Sequence, residues 1–327
     1  MVNNFDIDFV VLWVDGNDPK WLEKYSKYSK KKDNVRFRDY GTFKYWFRSV
    51  EQYASWVHKI YLVTDQQIPK WLNLKNPKIQ IIDHKEIIPS IYLPVFNSNA
   101  IDMNLYRIPG LAEHFVYFND DFFLNRKVYP NDFFDNNGLP KDSAVQNAIM
   151  PVEDFDHISV NNMSLVNNTF NKYSVIKKNW NKFFNFRYGY KNILSILLLP
   201  WPRFTRFMDP HIPISFRKSE FKNVMEKFSK QKNQTLNNRF RSKDDISLWL
   251  VRYFQLATGE FKPRSTKFGK MYKFSDIKNI EEEILKQKHK CFCVNDVDLS
   301  DSEFNRNSEI LRDCFELKLP QKSTFEI

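Results

Sequence analysis

The stretch Phe115-Val116-Tyr117-Phe118-Asn119-Asp120-Asp121-Phe122-Phe123 constrains the fold of this chain more than any other. Its aromatic and β-branched residues predict a buried strand, which Asn-Asp-Asp interrupts before the apolar run resumes. Two adjacent carboxylates among such neighbours are costly to bury unless a cation or hydrogen-bond donors compensate them. One reading is a divalent-metal and phosphate site at residues 119–121, at the carboxyl end of a strand, where α/β proteins bind ligands. The other is an Asn-Asp turn between two strands, closed by its own side chains.

Other strands end in the same way. Residues 5–14 become fully apolar, as buried parallel strands do, and run into Asp15-Gly16-Asn17-Asp18-Pro19. Asp18 suits an N-cap with Pro19 at the first helical position, which leaves Asp15 and Asn17 with less structural reason. Residues 59–65 and 79–84 read as strands ending in Thr64-Asp65 and Asp83-His84, and an amphipathic helix is expected over residues 42–56. This strand–helix–strand rhythm predicts an α/β fold with a mostly parallel sheet. Carboxylates gathered at strand ends suit a nucleotide-sugar site. Arg36 and Arg38 would project to one side of an extended segment and suit a pyrophosphate, with a salt bridge to Asp39 as the competing reading. A helix capped by Ser98 or Asn99 and broken by Pro109-Gly110 is expected over residues 103–115, a strand over 144–150, a helical stretch over 167–182 and a final strand over 290–296.

Composition excludes several classes. With 327 residues, 42% apolar and 17% aromatic, the chain is globular. It has only 7 Gly, and neither a P-loop nor a dinucleotide fingerprint occurs. A formal charge of +11 favours polyanions, phosphorylated substrates or an anionic membrane surface. No RNA-binding motif is present, so nucleic acid is not an expected partner. Cys291, Cys293 and Cys314 fit small core residues and a reducing, cytoplasmic compartment. Neither a leader nor a membrane span is expected.

Residues 183–207 are rich in aromatics and Leu and flanked by Lys177, Lys178, Lys182, Arg187, Lys191, Arg203 and Arg206. That pattern fits an interfacial amphipathic element or a core helix of a second subdomain. In Asp209-Pro210-His211-Ile212-Pro213 two prolines bracket the histidine, which pre-positions it for acid–base work or packs it. Arg241 and Asp245, four apart at the start of an apolar helix ended by Gly259, could pair.

Taken together, these blocks resemble a known family. Asp8-Phe-Val-Val-Leu-Trp-Val-Asp-Gly-Asn-Asp-Pro19 is similar to the first region of the Stealth phosphotransferases. These are bacterial capsule and cell-surface polysaccharide enzymes related to the catalytic subunit of lysosomal N-acetylglucosamine-1-phosphotransferase. Arg36-Phe-Arg-Asp-Tyr40 through Trp71, Phe96-Asn-Ser98, Ile108-Pro-Gly-Leu111 and Phe118-Asn-Asp-Asp121 resemble the second region. His211-Ile-Pro213 with the Arg241/Asp245 segment resembles the third. Cys293-Val-Asn-Asp296 and Leu319-Pro-Gln-Lys-Ser-Thr-Phe-Glu326 resemble the fourth. Tyr106, Asp102 and Asp298 depart from the family pattern.

The resemblance implies transfer of a hexose- or N-acetylhexosamine-1-phosphate from a UDP-sugar to a hydroxyl of a growing polysaccharide or lipid-linked oligosaccharide, releasing UMP. A metal-dependent glycosyltransferase releasing UDP is the competing function. The implied fold is glycosyltransferase-A-like: a nucleotide-sugar-binding core over residues 1–150, a helical insertion over 151–235 and a C-terminal part over 236–327. Mg²⁺ or Mn²⁺ is expected on Asp120 and Asp121, which also serve catalysis. His211 is the expected acid–base group and Arg241 the transition-state cation. Asp15, Gly16, Asn17 and Asn119 are expected to hold the donor, followed by Arg36, Arg38, Asn97 and Ser98. The protein is expected in the cytoplasm, with peripheral contact to the anionic inner face of the plasma membrane.

Overall fold

A computed structural model describes residues 5–29 and 37–327, so Arg36 lies outside the described residues. In chain order its strands are β1 (Ile7–Leu12), β2 (Ile60–Thr64), β3 (Ile79–Asp83), β4 (His114–Asn119), β5 (Phe122–Leu124), β6 (Lys141–Asp142), β7 (Ile214–Arg217), β8 (Lys262–Pro263), β9 (Gly269–Lys273) and β10 (Cys291–Asn295). A five-stranded sheet has the order β3-β2-β1-β4-β7. Its first four strands are parallel and β7 runs antiparallel at the edge. The strands are apolar because helices cover both faces; Phe9, Val10 and Val11 of β1 have no exposed surface.

This order creates a crevice. The chain moves outward from β1 to β2 and β3, then crosses back to β4 on the other side of β1. Loops after β1 and β4 therefore diverge and leave a cleft at their carboxyl ends. Leu12 pairs with Asn119, so the two strands end level and their loops, residues 13–18 and 120–121, emerge side by side.

The Asn-Asp-Asp turn is a corner between two sheets. After it, β5 leaves the main sheet and pairs antiparallel with β10, which pairs in parallel with β9. The turn reading of this stretch holds for the backbone: a strand, a turn, then a strand in another sheet.

The helix Phe43–Tyr53 and the strand at Cys291–Asn295 lie where the sequence puts them. Three expectations are corrected. The helix expected from residue 103 starts and ends earlier: a short helix, Ser98–Asp102, gives way to a 3-10 turn, Leu105–Arg107, ahead of the expected break at Pro109, which lacks an N–H. The cap is Asn97, whose side chain accepts from Asn99 N at 3.1 Å. Residues 144–150 make only an isolated bridge, Gln146 to Phe207, because the Gln146 N–H goes to Ser195 Oγ instead. The stretch 167–182 is broken into Asp154–Thr169, Lys172–Lys178 and Trp180–Phe183. One continuous buried cluster runs from Ile7 to Phe325 and draws on all three segments expected as separate units. A smaller one, Trp21, Tyr25 and Phe96, packs with Phe37 and Phe240 beside the cleft.

Candidate active site

At the end of β4, Asn119 accepts a hydrogen bond from the Tyr117 hydroxyl, whose oxygen also lies 3.1 Å from Asp102 Oδ1. Asp120 and Asp121 follow in the turn. Asp121 Oδ2 accepts from Cys293 Sγ at 3.3 Å, because the β5–β10 register puts Cys293 opposite Phe122. Asp121 Oδ1 is buried and has no hydrogen-bond partner among the described residues. Burial pushes Asp121 up to about 7. Asp120 is raised well above the usual carboxylate range by burial and then by Asp121 and Asp39. Asp39 is itself raised, mainly by burial and further by Asp15.

A basic protein has thus gathered mutually repelling carboxylates at one strand end. An orphaned buried carboxylate oxygen and this repulsion are what a hard cation relieves, so the residues fit Mg²⁺ or Mn²⁺. Ligand atoms of Asp121, His211 and Cys293 also lie within 4.8 Å of one another. Because a bound cation requires ionised carboxylates, affinity should fall with acid. Titrating the protein with Mn²⁺ by calorimetry should show about tenfold weaker binding at pH 6 than at pH 7, with proton release. Equal affinity at both would remove Asp121 from the ion.

His211, between Pro210 and Pro213, has φ +47, a left-handed conformation uncommon for a non-glycine residue. The neighbouring Asp209 anchors that loop: it accepts from Arg252 Nη1 at 2.9 Å, Arg206 Nη2 at 3.1 Å and the Tyr253 hydroxyl at 2.5 Å. Nε2 of His211 sits 4.0 Å from Asp121 Oδ2, and Phe122 meets the ring edge-to-face at 5.1 Å. Burial, then the Arg241 charge, pushes His211 down to about 4, so the imidazole is neutral at pH 7. Arg241 donates to Ser98 Oγ at 2.8 Å and lies over the Phe155 ring.

The loop after β1 is built as tightly. Asp15 exchanges two backbone hydrogen bonds with the Gln67 side chain, at 2.9 and 3.0 Å, and its Oδ1 accepts from Asn17 N at 2.8 Å. Asn17 is exposed at the cleft rim. Gly16 is required by close approach: a Cβ there would overlap the carbonyl oxygen and Cβ of Phe37. Gly16→Ala should therefore destabilise by about 1–3 kcal/mol and raise KM for the donor. A denaturation curve matching wild type would show that Phe37 yields.

Two residues expected at the substrate make hydrogen bonds within the protein. Arg38 makes a bidentate pair with Asp296 at 3.0 and 3.1 Å, donates to Val297 O and Leu299 O, and stacks on Phe304. Its role is to tie the β10 end to the cleft, and its partner is Asp296 rather than Asp39. Asn97 is wholly buried, and its amide nitrogen donates to Asp245 Oδ2 at 2.8 Å. Asp245 accepts in addition from Asn99, Asn238 and Ser242 N, which fixes the loop carrying Arg241.

Conserved regions 1, 2 and 3 of Stealth proteins match residues 5–33, 36–142 and 210–254. The exopolysaccharide phosphotransferase cps2G of Lactiplantibacillus plantarum is 59% identical, over 98% of this chain and 96% of its own. The chain belongs to the Stealth family. The capsular polysaccharide phosphotransferase WcwK of Streptococcus pneumoniae is 42% identical over 100% of this chain and 99% of its own. The receptor polysaccharide phosphotransferase WefC of Streptococcus oralis is 39% identical over 98% and 99%. This Stealth chain is accordingly an enzyme, a sugar phosphotransferase.

Sequence reasoning missed Cys293, taken as core packing, and the buried Arg252, which pairs with Asp142 Oδ2 at 2.7 Å as well as with Asp209. A lone arginine inside Leu250-Val-Arg-Tyr-Phe254 was the available signal, since such a charge demands buried counter-ions.

Proposed function

We propose that this Stealth enzyme transfers a hexose- or N-acetylhexosamine-1-phosphate from a UDP-sugar to a hydroxyl of a growing polysaccharide or lipid-linked oligosaccharide in the cytoplasm. The observation that carries the reading is the buried Oδ1 of Asp121, which has no hydrogen-bond partner among the described residues, on a carboxylate whose Oδ2 lies 4.0 Å from Nε2 of a neutral His211. The parallel β3-β2-β1-β4 order with a cleft at its reversal is consistent with a glycosyltransferase-A-like nucleotide-sugar fold. The relatives named as capsular and exopolysaccharide phosphotransferases support the acceptor class.

In this reading the acceptor hydroxyl attacks the sugar-bearing phosphorus and gives its proton to His211 Nε2. The new O–P bond forms as the bridging P–O bond to UMP breaks. The imidazolium is held 4.0 Å from Asp121, which stabilises it. Arg241, fixed by Ser98, meets charge growing on the non-bridging oxygens. The Asp15-Gly16-Asn17 loop holds the uridine diphosphate. Mg²⁺ or Mn²⁺ on Asp120 and Asp121 would neutralise the diphosphate and its leaving group. A UDP-sugar labelled in its β-phosphate tests the route: label should enter the polysaccharide, whereas label kept in the nucleotide would refute it.

A further inference from the structure

The helix Asn192–Leu197 is inside out. Its only buried residue is Ser195, whose Oγ accepts from Gln146 N at 2.9 Å, while Ile193, Leu194, Ile196 and Leu197 face solvent. Around it stand further exposed apolar side chains: Phe186 at 81%, Tyr190 at 75%, Trp180 at 63% and Trp201 at 53% exposure. An open groove of about 550 Å³ lies among Tyr173, Trp180, Phe186 and Ile196. A contiguous patch of this kind marks an interaction surface.

This patch is held rigidly from behind. Phe183, Phe204 and Phe207 are core residues, Tyr188 donates to Lys182 O at 2.6 Å, and Lys172 donates to Leu198 O and Trp201 O. Its aliphatic face is therefore presented outward by design of the fold, and an unpacked core helix does not explain it.

Charge selects the occupant. Between Asp156 and Asp209 the chain has no acidic residue, and eight basic ones. Lys177, Lys178, Arg187 and Arg203 are exposed beside the patch, and Lys191 is half-buried. Apolar and aromatic tips within a cationic collar fit lipid tails below anionic headgroups, with Trp and Tyr at the boundary. Among the described residues no helix is long and apolar enough to cross a membrane. We propose that residues 180–201 form a platform that inserts into one leaflet of an anionic lipid bilayer and docks the enzyme there. The chain reaches His211 within ten residues of the platform's end, through the Arg206–Asp209 pair, so docking would fix the catalytic loop near the membrane.

Co-flotation of the full chain with vesicles tests this without any turnover. Wild type should float with vesicles of about one-third phosphatidylglycerol and much less with pure phosphatidylcholine, and high salt should weaken binding. Ile193→Glu with Leu197→Glu, both at exposed positions, should lower partitioning at least about tenfold with an unchanged melting temperature. Lys177→Gln with Lys178→Gln should lower only the anionic-lipid component. Equal flotation of wild type and the glutamate variant would overturn the proposal. So would a wild type that ignores lipid but forms a dimer dissolved by the same substitutions, because the patch would then be an interface between copies.

Discussion

Asp121→Asn should lower sugar-phosphate transfer on the order of 10³-fold or more while the fold stays intact. Asparagine keeps the size of the side chain and an oxygen for the Cys293 thiol, 3.3 Å away, and removes only the charge. With that charge go the strongest reason for a cation to bind and the partner of a protonated His211. Stability provides an independent reading. Asp121 titrates at about 7 in the folded protein, above its unfolded value, so its ionisation costs stability increasingly as pH rises from about 4 to 7. The asparagine variant never ionises. In the absence of divalent cations it should melt at or above the wild-type temperature at pH 8, and it should lose the stabilisation that Mn²⁺ gives wild type. Full activity with normal folding would exclude Asp121 from the site.

His211→Asn should lower kcat about 10²- to 10⁴-fold with little change in KM. Asparagine tolerates the φ +47 backbone, so the loop bracketed by Pro210 and Pro213 should keep its shape. Circular dichroism and the melting temperature check that point. The pH profile reports the protonation state in which His211 acts. Because His211 is held near 4, kcat/KM at saturating Mn²⁺ should lack the acid limb near pH 6.5 that an ordinary histidine base would impose. A variant with unaltered kcat would reassign His211 to packing.

Much of the scaffold was legible because short, strongly apolar strands announce themselves. The stretches at residues 5–14, 59–65, 79–84 and 115–119 became β1 to β4; of the polar residues ending them, Asp65 pairs with Lys24 at 2.8 Å and Asp83 caps the helix His84–Ile87, so only the ends of β1 and β4 flank the cleft. What the chain hides is pairing across distance. Nothing local to Cys293 says that its thiol meets a carboxylate 172 positions away, and the contact exists only through the β5–β10 register. Arg38 shows the same limit: its charge suits a diphosphate, but Asp296 and two carbonyls at the other end of the chain reach it first. Asn97 looked available until burial placed it under Asp245. Element lengths failed where side chains compete for backbone groups, as Ser195 does at Gln146 in the expected strand and Asn104 does at Ala100 O in the expected helix. The segment at residues 183–207 had two readings, and burial separates them residue by residue: its Phe183, Phe204 and Phe207 are core, and its aliphatic helix faces outward.

The most direct measurement is the nucleotide released when the purified protein is incubated with a panel of UDP-sugars, Mn²⁺ and its polysaccharide acceptor. The account predicts UMP in one-to-one ratio with a new phosphodiester seen by phosphorus NMR. Release of UDP with a new glycosidic bond would contradict it.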